Sequence, residues 1–202
     1  MRRSQILAIA LGCFTISTSA NAAVFSVDAH NNSSTGGSGL STISLTSGQA
    51  FTVTAGYNDL WSIGDLPRFA NADGLIAPRF ATAADDSGQP IGTLIGNTFV
   101  PWTQAGLTAP YASLVGEIGG VFKFIGTNFS SSAWNTGTLD LYAWDENNGD
   151  NVGTILANVN IPAVGGAVTE PATWSMIILG MGGLGAALRR RRNRASLRSL
   201  AA

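Results

Sequence analysis

Seven consecutive residues, Asp145-Glu146-Asn147-Asn148-Gly149-Asp150-Asn151, form the densest set of oxygen donors in this 202-residue chain. Carboxylates and carboxamides are what a hard divalent cation selects as ligands. They are equally the residues of a solvated hairpin turn, because Asn-Gly takes positive φ angles easily and carboxylates prefer water. Both readings are open at the level of the sequence. A helix-loop-helix calcium loop beginning at Asp145 is excluded, since it requires glycine at position 150 and finds Asp150. Trp61, Trp102, Trp134 and Trp144 could stack on the C–H faces of a sugar, although tryptophans more often fill a core or its edge.

Other reactive chemistry is sparse. The sole histidine, His30, stands beside Asn31-Asn32-Ser33-Ser34, where a mobile exposed residue is expected rather than a catalytic base. No Gly-x-Ser-x-Gly elbow, phosphate loop or His-rich zinc motif occurs. The single cysteine, Cys13, lies in the N-terminal apolar stretch, so its removal with that stretch leaves no disulfide and no thiolate metal site. A glycosidase is the weakest option, because it needs two carboxylates to converge at a defined separation. A non-catalytic protein is expected.

The elements that must position these residues read as short strands. Ile43–Leu45, Phe51–Ala55, Ser113–Val115, Val121–Ile125, Leu139–Ala143 and Ile155–Ile161 are rich in β-branched or aromatic residues, and Leu139, Leu141 and Ala143 alternate with Asp140. No helical period persists between Ala23 and Val168. The fold class predicted is therefore all-β, an antiparallel sandwich, in one domain over residues 23–162. Five prolines between Trp61 and Tyr111 predict loop there, with short strands such as Gly92–Ile95. Asn31–Gly39 reads as flexible and residues 163–169 as a linker.

The two ends read as addresses. Arg2-Arg3, the apolar run Ile6–Ile16 and Ala20-Asn21-Ala22 predict a signal peptide over residues 1–22, cut by signal peptidase after Ala22. Leu11-Gly12-Cys13 offers a weaker alternative, a lipid anchor on Cys13. At the other end Ala172–Leu188 is a 17-residue apolar run, at the bottom of the roughly 17 to 25 residues that a helix needs to span a bilayer. Arg189-Arg190-Arg191-Arg192 follow it and hold that end in the cytoplasm, so everything upstream faces out. Eight of the 11 basic residues lie in these ends. Between Ala23 and Val168 only Arg68, Arg79 and Lys123 oppose eleven carboxylates, a net charge of −8. Such a body repels nucleic acid and attracts divalent cations.

Two resemblances follow. Glu170-Pro171, Trp174, Met176, the glycines Gly180, Gly182, Gly183 and Gly185, and Arg189–Arg192 resemble the Pro-Glu-Pro C-terminal (PEP-CTERM) sorting domain over residues 170–202, with Thr169 in place of the first Pro. That resemblance implies an exported precursor anchored in the inner membrane by a transmembrane helix. It also implies recognition by an exosortase, delivery to the cell surface or beyond, and a host that makes exopolysaccharide. The segments Phe51–Gly64, Pro110–Gly126 and Gly137–Ile161, above all Tyr111-Ala112-Ser113-Leu114-Val115-Gly116-Glu117-Ile118-Gly119, are similar to the galactophilic calcium-dependent bacterial lectins and galactose-binding-like domains. The likeness implies a jelly-roll sandwich in which calcium bridges protein and sugar hydroxyls. Its ligands would be Asp145, Asp150 and Asn151 with main-chain oxygens from Ile63 and from within Glu146 to Asn148. The turn is shorter than that family's, with Asp150 replacing an Asn. The family's sugar-contacting His and Gln have no counterpart at Phe69, Ala70 or Asp73. Calcium is thus the candidate cofactor and extracellular polysaccharide the candidate ligand. The rival expectation is a structural or adhesive sandwich that binds neither.

Overall fold

The computed structural model describes residues 21–163, and every regular element among them is a strand. In chain order these are β1 (Asn21–Asp28), β2 (Leu40–Leu45), β3 (Ala50–Ala55), β4 (Trp61–Ile63), β5 (Phe69–Ala70), β6 (Arg79–Phe80) and β7 (Leu94–Gly96). There follow β8 (Trp102–Gln104), β9 (Leu107–Ala109), β10 (Leu114–Ile118), β11 (Val121–Phe124), β12 (Asn128–Ser132), β13 (Gly137–Ala143) and β14 (Asn151–Ile161). Two antiparallel sheets carry the fold. The first runs β12-β3-β14-β4-β5 with β1 added to β14, and the second runs β11-β10-β13-β2. The all-β class is as the sequence predicts.

Alternation builds the space between the sheets. Leu139, Leu141 and Ala143 of β13 are fully buried, while Thr138, Asp140 and Tyr142 alternate with them at partial exposure. From the first sheet, Val27, Phe51, Val53, Ile155, Ala157 and Val159 enter the same core. At about 25 cal/mol per Å² of apolar surface, a cluster of this size supplies the main driving force for folding. β14 is the longest strand and does two jobs. Asn151–Gly153 pair with β4, and Thr154–Ile161 pair with β1.

The proline-rich stretch keeps to its expected loop with short strands, β4 to β9 being two or three residues each, and β8 and β9 make a tight hairpin with Gln104 opposite Leu107. Other expectations change. β12, Asn-Phe-Ser-Ser-Ser, carries too little apolar signal to be read from sequence, yet it pairs with β3 from Asn128↔Thr54 to Ser132↔Ala50. Phe129 anchors it, its ring 5.6 Å from that of Phe51. Among the described residues β1 spans Asn21–Asp28, and Asn21 and Ala22, the last two positions of the predicted signal peptide, lie opposite Ile161 and Asn160. Most of that peptide, the linker beyond Ala163 and the span Ala172–Leu188 lie outside the described residues. Among the described residues no helix is long and apolar enough to cross a membrane.

Candidate functional site

β13 belongs to the second sheet and β14 to the first, so the acidic segment between them crosses from one sheet to the other. This corrects the hairpin reading, since β13 and β14 are not neighbours. The crossing starts at Trp144, which is fully buried and donates from Nε1 to the Trp102 carbonyl at 3.0 Å.

The crossing is strapped down by residues more than a hundred positions away. The Asp145 N–H donates to Ser34 Oγ at 3.1 Å, and that hydroxyl donates to the Asp145 carbonyl at 3.0 Å. His30 Nδ1 donates to the Asn148 carbonyl at 2.6 Å, and Asn148 Nδ2 donates to the His30 carbonyl at 3.1 Å. Asn151 Nδ2 donates to the Ala29 carbonyl at 3.0 Å. Each such bond contributes on the order of 1 kcal/mol. The segment Asn31–Gly39, expected to be flexible, is therefore a packed support, with Ser33 fully buried. His30 is exposed as expected, but held by this turn.

What the strap leaves open is informative. Asp145 is 1% exposed and Asn151 4%. Both carboxylate oxygens of Asp145 and the amide oxygen of Asn151 are buried with no hydrogen-bond partner among the described residues. Tyr111 lies close by. Burial first, then the approach of its hydroxyl to the Asp145 side chain and the charges of Asp145 and Glu146, push that hydroxyl far above the usual phenol range, although the approach falls short of hydrogen-bond geometry at either Asp145 oxygen. Leaving a carboxylate buried and unpaired costs several kcal/mol, far more than an unpaired hydroxyl. The local demand is for positive charge.

Beside these residues opens a cleft of about 440 Å³, bordered by Ile63–Arg68 on β4 and its following loop, by Phe99 and Tyr111, and by Glu146, Asn147 and Asp150. The β4–β14 ladder sets Ile63 opposite Asn151. Gly64 has φ of +134°, and a Cβ there would sit 3.0 Å from Asp150 Oδ2. Ile63 and Asp150 thus border the cleft, Asn151 lies opposite Ile63 on the ladder, and Asp145 is buried next to the bordering Glu146. Among the described residues no three carboxylate, imidazole or thiolate side chains converge as a metal cluster. A cation here would draw on Asp145, Asp150, the Asn151 amide oxygen and main-chain carbonyls, a set of hard oxygens suited to calcium.

Sequence reasoning did not single out Tyr111 alone, Phe99 or Arg68 as site residues. Tyr111 opens the Tyr-Ala-Ser-Leu-Val-Gly run, and Arg68 is one of three cations in the passenger; those were the available signals. Trp61 and Trp144 are core residues and do not face solvent. Trp134 packs against Phe51 and Phe129. Trp102, half-buried, borders a second hollow of about 460 Å³ with Val100 and Pro101, adjoining the cleft through Phe99, Tyr111 and Glu146. Asp73 is structural, its carboxylate accepting the Thr127 N–H at 2.7 Å.

Residues 167–192 match the family model of the PEP-CTERM protein-sorting motif. The chain carries a PEP-CTERM sorting tail. Glu170, Pro171, Trp174 and Arg189–Arg192 fall within that PEP-CTERM match and outside the described residues. The tail marks the protein for export and sorting to the surface. No curated protein matches the chain. Among solved structures, a chain described as an EclA N-terminal domain, a PllA-like lectin, is similar at 22% identity, over 67% of this chain and 92% of that one, with a TM-score of 0.43.

Proposed function

We propose that residues 23–162 form a non-catalytic, calcium-dependent carbohydrate-binding module, displayed at the cell surface after an exosortase processes the PEP-CTERM tail. The single observation that carries this reading is Asp145, whose two buried oxygens lack a hydrogen-bond partner among the described residues, beside a cleft of ligand size. A bound calcium ion would supply the missing counter-charge. It would also leave coordination positions for two vicinal hydroxyls of an exopolysaccharide. The net charge of −8 on the passenger favours cation capture and disfavours nucleic acid. Signal peptidase, exosortase and the inner membrane are then the partners of the precursor.

The test is a melting curve of the full chain in mild detergent, with chelator and with millimolar calcium. Calcium is expected to raise the midpoint, by linkage to the folded state alone. The shift should vanish in Asp145→Ala. An unchanged curve would leave the sandwich as a purely structural or adhesive block.

A further inference from the structure

We infer that the cleft selects carboxylate-bearing sugars, with Arg68 as the group that recognises the acid. This deepens the calcium-dependent reading and rests on it. The passenger has three cationic side chains, and each lies over an aromatic ring: Arg68 over Phe99 at 3.9 Å, Arg79 over Tyr57 at 4.2 Å and Lys123 over Trp134 at 4.7 Å. They differ in what else they do. Arg79 donates to the Tyr57 carbonyl at 3.1 Å and borders a hollow of only about 100 Å³. Lys123 borders neither this hollow, nor the cleft, nor the hollow beside Trp102. Arg68 alone lines the large cleft, and among the described residues its guanidinium has no ion-pair or hydrogen-bond partner, although Asp65 and Asp150 line the same space.

Stacking explains how that state is held. The Arg68 guanidinium rests on Phe99, and Phe99 rests on Tyr111 with ring centroids 4.8 Å apart. This column reaches from the cation to the tyrosine that faces Asp145. A stacked guanidinium keeps its edge free, and that edge presents parallel N–H donors in the fork that fits a carboxylate. A neutral hydroxyl can accept one of those bonds but leaves the charge uncompensated. A uronic acid meets both needs at once, with hydroxyls for the ion and a carboxylate for Arg68. Asp65, Glu146 and Asp150 also border the cleft, so an anionic ligand enters only when calcium has offset them.

The experiment measures binding of a short galacturonate oligomer to the full chain in mild detergent. The control ligand is the same oligomer with its carboxyls reduced to alcohols, and both are run in calcium and in chelator. In calcium the acidic oligomer should bind about tenfold or more tightly than the reduced one, the margin a charge-assisted fork typically supplies. Chelator should abolish the difference. Arg68→Gln should bring the acidic oligomer down to the level of the reduced one while the calcium-induced rise in melting midpoint persists, and Arg68→Lys should recover part of the preference. Equal binding of the two oligomers, binding of neither, or a preference that survives Arg68→Gln, each with the calcium shift intact, overturns this inference alone. Absence of any calcium shift in the unmodified chain overturns the calcium reading and this inference together.

Discussion

A carboxylate as enclosed as that of Asp145 is destabilising until a cation reaches it, so one isosteric substitution separates two effects of opposite sign. In chelator, Asp145→Asn is expected to melt above the unmodified chain, because a neutral amide costs less to bury than an unpaired charge. In calcium the order should invert, since the ion then stabilises only the carboxylate form. Parallel melting curves in both buffers read the crossing. Gly64 gives a second handle. Its φ of +134° strains any residue with a Cβ, and the 3.0 Å approach to Asp150 Oδ2 means that the Asp150 side chain must give way to one. Gly64→Ala should therefore cost about 1–3 kcal/mol in urea unfolding, from backbone strain, and weaken the calcium shift by displacing Asp150. Asp145, Asp150 and Asn151 were legible as oxygen donors from their own chemistry. Tyr111 and Arg68 were not, because a buried tyrosine and a lone arginine acquire a role only from what packs beside them.

Strands with an apolar face were legible, and strands held by their neighbours were not. β13 announces itself through Leu139, Leu141 and Ala143. β12 has only Phe129 to bury and exists because β3 offers it a complete ladder. The turn between β8 and β9 is not optimal for its geometry. Ala105 has φ of 47° and Gly106 of 82°, the left-handed pair of a two-residue hairpin loop, in which alanine is strained and asparagine is favoured. Ala105→Asn should stabilise the fold by about 0.5–1 kcal/mol, seen as a higher urea midpoint at unchanged slope. The crossing from β13 to β14 could not be told from a hairpin by composition. Asn-Gly marks a turn in either case, and only the sheet each strand joins distinguishes them.

Taken whole, the chain segregates its charge, with an acidic body between basic ends, the second of which overlaps the match to the PEP-CTERM sorting motif. Replacing Glu170 and Pro171 by alanine is expected to leave the full-length precursor in the membrane fraction of a host that has an exosortase. Fractionation with intact-mass measurement checks this, and a shortened surface form would refute the processing proposed here. The chain by itself determined the all-β class, the acidic segment Asp145–Asn151 and the PEP-CTERM tail, because alternation, composition and a contiguous motif are local properties. Tertiary structure alone decided that Asp145 is enclosed, that Ser34 supports it from 111 positions away and that Arg68 lines the cleft with no partner among the described residues. Burial and charge pairing depend on which distant segments pack together, and no local pattern encodes that.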